Sequence, residues 1–334
     1  MNMTDHNLQV LLERRPKGWP TPDDFRIVEL PHAPLAEGQL RVRGEYLSLD
    51  PYMRGRMNEG RSYVPPVALG DVMCGEVVGE VVESRHPKFA VGDLVAGDLG
   101  WQTHSVSDGK GLRRVDRAVP RTALLSAVGM PGVTAWAGLL QIGQPKPGET
   151  VVVSAAAGAV GSVVGQIAKL KGCRAVGIAG GPDKCRHVVE DLGFDACVDY
   201  KSRAFTEELK AAVPAGVDVY FDNVGGPILD AVLGRMNPFS RLPLCGLISQ
   251  YNATEAYGVK NFRSILVNRV RVQGFIVFDF ADRYREASAD LAGWLAAGQL
   301  RYVETVAQGL RAAPEAFLGM LRGANLGKQL VKLG

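Results

Sequence analysis

The stretch VVVSAAAGAVGSVVGQIAKLKG, Val151 to Gly172, decides how this chain folds. Its opening residues are a short uncharged β-branched run, the pattern of a strand buried on both faces. Apolar residues then recur at Val160, Val163, Val164, Ile167 and Ala168, a helical spacing, and Gly172 stands where that helix would stop. Between strand and helix lie Gly158, Gly161 and Gly165. In such a turn Gly158 is expected to take a backbone conformation other residues avoid. Gly161 is expected to let the chain approach a pyrophosphate closely, and Gly165 to let helix and strand pack tightly. The helix N-terminus offers N–H groups and partial positive charge to the phosphates. Glycines in a tight turn also serve plain packing. Here strand and helix flank them on both sides, and the pattern points to dinucleotide binding.

Outward from this stretch, from about residue 147, strand and helix patterns alternate. RAVGIAG reads as the next strand and PDKCRHVVEDLG as the next helix, with Pro182 near its start and Gly193 past its end. ACVDY, GVDVYFDNVGG, RLPLCGLIS and RVRVQGFIVF supply further strands, with helical stretches around 227–236 and 282–297. Such alternation implies an α/β fold, a doubly wound parallel sheet with right-handed crossovers. The first third differs: QLRVRGEYLSL, GEVVGEVVES and GDLVAG are short β-like runs punctuated by Gly38, Pro51, Gly70 and Gly92, which reads as an irregular, mostly β domain. The last thirty or so residues hold a helix and a closing strand. At 334 residues the chain exceeds the size of a single growing core, so two domains are expected, with a cleft between them as the default place for a site.

The end of the second strand separates NAD from NADP, because a carboxylate there would accept from the ribose 2′-hydroxyl. The sequence reads GIAGGPDKCR, with no carboxylate between Gly177 and Pro182. Lys184 and Arg186 follow, and Lys184 can pair with a 2′-phosphate. This favours NADP. Asp183 argues the other way, since a small loop shift would bring it to the ribose, and Lys184 as a solvated helix charge is the plainer alternative.

Composition narrows the classes further. With 46% hydrophobic and 22% charged residues and a net charge of +3 on scattered side chains, nothing marks a nucleic-acid footprint. Cys74, Cys173, Cys185, Cys197 and Cys245 form no CxxC pair, which argues against a disulfide framework and for a reducing cytoplasm. The opening MNMTDHNLQVLLERRPKGW is polar, without the apolar core of a secretory signal. An uncharged run from Thr122 to Pro145 is interrupted by prolines and glycines and is expected to be a buried connection, not a membrane span. The five histidines, His6, His32, His86, His104 and His187, show no metal-ligand spacing to one another or to the cysteines.

The β-rich N-terminal domain, the AAAGAVG turn and the C-terminal return to the first domain resemble the medium-chain dehydrogenase/reductase superfamily over nearly the full length. In its zinc alcohol dehydrogenases a cysteine lies just before an aspartate, with a Gly-His-Glu motif downstream. The corresponding segments here are LSLDPYMRGRM and LGDVMCGEV, where Leu47 and Asp71 replace metal-binding types, so no zinc is expected. LSLDPYMRGRM, GMPGVTAW, GQIAKLKGCRAVGIAGGPDKC, YFDNVGG, GLISQYN, QGFIV and GANLGKQLV resemble the zinc-independent double-bond reductases. That group comprises the leukotriene B4 dehydrogenase/prostaglandin reductases, plant alkenal reductases and bacterial curcumin reductases. The last are approached most nearly, through QIGQPKPGE and GLISQYNATE.

The resemblance implies a GroES-like catalytic domain of residues 1–127 plus 304–334, a Rossmann NADP-binding domain of residues 128–303, and a cytoplasmic homodimer. It implies NADP(H) contacts from Gly158, Ala159, Val160 and Gly161 to the pyrophosphate, and from Lys184 and Tyr200 to the 2′-phosphate end. Asn223, Cys245, Gly246, Ser249, Tyr251, Phe275, Val277 and Asn325 would complete that site. Reducing a conjugated C=C requires hydride delivery to the β-carbon and a donor for the charge that develops on the carbonyl oxygen. The resemblance gives the second task to the nicotinamide ribose 2′-hydroxyl together with Tyr251, with Tyr52 and Tyr63 lining the substrate pocket. A buried tyrosine bonded to backbone is the plainer reading of Tyr251. A quinone reductase of the same superfamily and a non-catalytic NADPH-binding protein are the competing functions, since fold alone does not settle function.

Overall fold

The computed structural model describes residues 6–334. The first residues of the polar N-terminal stretch lie outside the described residues. The chain forms two compact units: one runs to Leu125 and resumes over Glu304–Gly334, and the other is Ser126–Val303. The first unit opens with strands β1 (His6–Leu12), β2 (Phe25–Pro31), β3 (Leu40–Ser48), β4 (Glu76–Ser84), β5 (Leu94–Asp98), β6 (His104–Ser107) and β7 (Arg113–Arg114), with helix α1 (Tyr52–Arg56). The second holds β8 (Thr150–Ser154), β9 (Arg174–Ala179), β10 (Ala196–Asp199), β11 (Val217–Phe221), β12 (Met236–Leu244) and β13 (Arg271–Gly274). Its helices are α2 (Met130–Trp136), α3 (Gly161–Leu170), α4 (Pro182–Glu190), α5 (Phe205–Ala212), α6 (Gly226–Leu233), α7 (Arg263–Val267) and α8 (Tyr284–Ala296). The chain then returns to the first unit with β14 (Glu304–Gln308), α9 (Ala313–Leu321) and β15 (Lys328–Lys332).

In the second unit the strands are parallel and ordered β10-β9-β8-β11-β12-β13. β8 is buried along its whole length, as the β-branched run from Thr150 to Val153 in the middle of a helix-covered sheet requires. α3 buries Val163, Val164, Ile167 and Ala168, and Gly172 after it takes the left-handed φ of 74° that ends a helix without a Cβ penalty. The uncharged run expected to be a buried connection becomes α2 and a π-helical continuation over Ala137–Gly143, both mostly buried within the second unit. No helix among the described residues is long and apolar enough to cross a membrane. The charged α5 and the half-buried β14 are elements that the apolar pattern did not announce.

In the first unit the main sheet runs β14-β15-β3-β4-β5-β7, with β6 also paired to β3 and β1–β2 forming an antiparallel pair. β14 and β15 are parallel, and β15 pairs antiparallel with β3, so the C-terminal return is tied into the sheet by backbone bonds. Val10, Leu47, Met53, Trp101 and Phe317 lie in its core, with the Phe25 and Trp101 rings stacked at 5.6 Å.

Candidate active site

In an open parallel sheet the ligand crevice forms outside the C-terminal ends of the strands where their order reverses. Here that point lies between β8 and β11. Ser154 ends β8, and Asp222 and Asn223 follow β11. The Ser154 hydroxyl donates to Asp222 Oδ1 at 2.9 Å and receives the Asn223 N–H at 2.8 Å, while Asn223 Nδ2 donates to the Ser154 carbonyl at 2.8 Å. Asp222 is fully buried and also accepts the Tyr220 hydroxyl at 2.7 Å and the N–H groups of Val224 and Gly225 at 2.9 and 3.0 Å. Burial pushes its carboxyl above the usual range, against the pull of the Gly225 and Val224 N–H groups and the two hydroxyls. This carboxylate clamps the two strand ends that flank the crevice. Sequence reading singled out Asn223 and passed over Ser154 and Asp222. Their signal was a polar residue closing each of two apolar strands.

The glycine turn differs from expectation in detail. The left-handed residue is Ala155, with φ 51°, and Gly158 does not lie in that region. A Cβ on Gly161 would meet the Ala155 carbonyl oxygen at 2.3 Å, so this glycine serves close packing of helix against strand end. Gly165 faces a side chain instead: a Cβ there would lie 1.8 Å from the ring of Phe194. The α3 N-cap is Val160, which has no side chain able to cap; in the first turn the Ser162 and Val163 N–H groups donate to the Gly158 and Val160 carbonyls at 3.0 and 3.1 Å, and no side-chain cap bond is made. With Gly158, Ala159 and Val160 half-buried in front of it, this end of α3 suits a phosphate.

At the end of β9, Gly181 adopts φ 101° and donates its N–H to Asp199 at 2.8 Å, which sets the turn into α4. Tyr200 covers Gly180, where a Cβ would lie 2.8 Å from its ring. Lys184 sits in the first turn of α4, and burial, then Lys201, push its ammonium below the ordinary lysine value. Two cations are thus gathered here, one of which sequence reading missed. Asp183 is solvent-facing and ion-pairs with Arg186 at 3.2 Å.

The loop after β12 folds back onto the same crevice. The Cys245 and Gly246 N–H groups donate to the Asp222 carbonyl at 2.9 and 3.1 Å, and the Ser249 hydroxyl donates to the Val224 carbonyl at 2.6 Å. The Tyr251 hydroxyl accepts the Leu247 N–H at 3.3 Å and would lie 3.3 Å from a Cβ on Gly246. Burial raises the Tyr251 phenol above its ordinary value, so it stays a neutral O–H whose own proton is available to donate. Phe275 is buried against Phe221 and Phe280, each ring centroid 6.1 Å away, and Val277 opens the following 3₁₀ turn.

Tyr52, Tyr63 and Asn325 belong to the first unit. Tyr52 opens α1, half-buried, its phenol raised by burial and then by Cys74 and Asp50. Tyr63 is 54% exposed, and Asn325 Nδ2 donates to the Gly327 carbonyl at 2.8 Å. Beneath α1, buried Lys328 donates to the Leu49 carbonyl and to Asp50 Oδ1, both at 2.6 Å. Leu47 lies in the core and Asp71 at the surface. Among the described residues no group of three or more His, Cys, Asp or Glu is placed to hold a metal ion.

A doubly wound parallel sheet with a helix N-terminus lacking a side-chain cap at its switch point is a Rossmann-type, dinucleotide-binding architecture. The family profile described as "N-terminal domain of oxidoreductase" matches residues 8–115, and that described as "Zinc-binding dehydrogenase" matches residues 159–293. The NADPH-dependent curcumin reductase of Escherichia coli is 47% identical over 98% of this chain and 97% of its own. The 2-alkenal reductase (NADP(+)-dependent) of Nicotiana tabacum is 42% identical over 97% of both chains. The crystal structure of CurA from Vibrio vulnificus in complex with NADPH superposes with a TM-score of 0.92, at 46% identity over 98% of this chain and 99% of the other. The chain belongs to the medium-chain dehydrogenase/reductase superfamily, in the branch of the curcumin, 2-alkenal and prostaglandin reductases. Its two units are the Rossmann-type and GroES-like folds of that superfamily.

Proposed function

We propose that this protein is an NADPH-dependent, zinc-independent oxidoreductase that reduces the conjugated C=C bond of α,β-unsaturated ketones and aldehydes. The observation that carries the reading is the pairing of an α3 N-terminus without a side-chain cap with Lys184 in the first turn of α4 and Lys201 just after β10. One end suits a pyrophosphate and the other a 2′-phosphate. The relatives named for curcumin and alkenal reduction supply the substrate class.

NADPH, when bound, supplies the hydride that reaches the β-carbon. The chain's own part is to hold that cofactor with the amides around Gly158–Gly161, with Lys184 and Tyr200, and with Asn223, Cys245, Gly246, Ser249, Phe275, Val277 and Asn325. Tyr251 donates its neutral hydroxyl toward the oxygen on which negative charge grows, the task a metal performs in zinc enzymes. Tyr52 and Tyr63 contribute the apolar wall of the substrate pocket. Residues 1–127 with 304–334 act as the substrate domain and residues 128–303 as the NADP domain. Free cysteines throughout fit a cytoplasmic protein.

The working form is a homodimer. β13 is an exposed edge of the parallel sheet, and Phe239, Phe262, Leu266, Val272 and Phe278 are 69%, 67%, 78%, 42% and 64% exposed on and beside it. A bare apolar edge pairs readily, and a second copy across a two-fold axis would cover it. Sedimentation of a monomer at micromolar concentration would refute this.

Purified protein should oxidise NADPH rapidly with enones, enals or curcumin, and NADH much more slowly. Activity on simple quinones alone, or tight NADPH binding with no acceptor turned over, would overturn the reading.

A further inference from the structure

Cys185 lies in α4 one residue after Lys184, and Cys197 lies on β10. Their sulfurs are 2.9 Å apart, with the Cys197 thiol donating to Cys185. Both residues are half-buried. That hydrogen bond lowers the Cys185 thiol below its ordinary value and raises Cys197. The position near the N-terminus of α4 also favours a thiolate at Cys185, while burial and the Asp199 and Glu208 carboxylates oppose it without reversing the direction. The pair is thus polarised into a nucleophilic sulfur and a protonated one that can resolve it. Joining them needs an approach of about 0.9 Å to reach a disulfide bond.

We propose that Cys185 and Cys197 are an oxidation site for small hydroperoxides, forming an intrachain disulfide between α4 and β10. The Cys185 thiolate attacks one peroxide oxygen. The O–O bond breaks, the alkoxide leaves and takes up a proton, and Cys185 becomes a sulfenic acid. The Cys197 sulfur then attacks the Cys185 sulfur, and the hydroxyl leaves as water with the Cys197 proton. Net, the dithiol and one hydroperoxide give a disulfide, one alcohol and one water, the two electrons passing from the sulfurs to the peroxide. On the reading that Lys184 binds the 2′-phosphate, a dianion placed beside Cys185 opposes its thiolate, so occupancy by NADP⁺ slows the oxidation.

The test is treatment of the full chain with hydrogen peroxide, followed by non-reducing peptide mapping. The expected product is a single cross-linked peptide pair containing Cys185 and Cys197, absent from Cys185→Ser and Cys197→Ser and reversed by dithiothreitol. Cys197→Ser should leave Cys185 as a sulfenic acid that dimedone traps. Sulfinic acid at Cys185 without the cross-link in the unaltered chain, or oxidation confined to other cysteines, would overturn the proposal. Saturating NADP⁺ should slow cross-linking several-fold and NAD⁺ should not. Equal rates with and without NADP⁺, in protein that binds NADP⁺ tightly, would overturn the coupling to Lys184. Failure to bind NADP⁺ at all would instead defeat the cofactor reading, with the mapped cross-link unaffected.

Discussion

Removing the Lys184 ammonium tests cofactor choice most directly. At neutral pH a 2′-phosphate carries a charge of about −1.5 to −2. A charge-assisted hydrogen bond to it contributes roughly 1.5–3 kcal/mol, or about a 10- to 150-fold change in affinity. Lys184 is half-buried and so partly screened, which places Lys184→Ala toward the lower end, about 10- to 50-fold in NADPH Kd. NADH has no phosphate there, so its Kd should stay within about twofold. Lys201 is exposed, and Lys201→Ala should weaken NADPH by only about two- to fivefold. The pH dependence has a definite sign. Burial and Lys201 both lower the Lys184 pKa, so NADPH affinity falls as pH rises through that lowered value and the ammonium is lost. Lys201→Ala removes one of the two causes and should carry the decline to higher pH. The assay is titration of each variant with NADPH and NADH at fixed ionic strength over a range of alkaline pH. Equal losses for the two cofactors, or none for either, would refute recognition of the phosphate by Lys184.

Tyr251→Phe should lower turnover roughly a hundredfold with little change in NADPH affinity, read by steady-state kinetics beside direct cofactor titration; undiminished turnover removes the residue from the chemistry. Lys328→Met leaves Asp50 buried without its cation and should cost about 3–5 kcal/mol in denaturant unfolding, part of which Asp50→Asn restores. A loss below about 1 kcal/mol would contradict the importance of that buried pair. Gly165→Ala should destabilise by about 1–3 kcal/mol, because its Cβ would collide with the Phe194 ring at 1.8 Å, and Phe194→Leu should recover part of the loss in thermal melts.

What was legible in the sequence follows from which forces act locally. β8, α3 and β9 were readable because burial on both faces of a strand, or on one face of a helix, is written as an unbroken or 3.6-residue apolar pattern, whereas α4, which buries only His187 and Val188, was readable from Pro182 near its start and Gly193 past its end. α5, FTEELKAA, buries only Leu209, and β14 is at most half-buried, so neither carries such a pattern strongly. Their placement comes from neighbours: β14 is a strand because β15 pairs with it. The same division runs through the site. Lys184 could be flagged from its position after a strand end, whereas Lys201 enters only because β10 lies beside β9.

Ser154 and Asp222 are 68 positions apart, and nothing local links them. They meet because the order of strands turns back between β8 and β11, a property of the whole sheet. The glycine turn shows the same limit at closer range. A left-handed backbone costs a non-glycine residue about 1 kcal/mol or more, so sequence reading assigns it to a glycine. The structure assigns it to Ala155, whose carbonyl accepts the Gly158 N–H at 2.9 Å and occupies the space a Gly161 side chain would need. The turn therefore asks for glycine at 161 because of where the Ala155 carbonyl points. A residue type can show that a tight turn is present, but which atom fills which space in it is decided by the strand and helix that the turn joins.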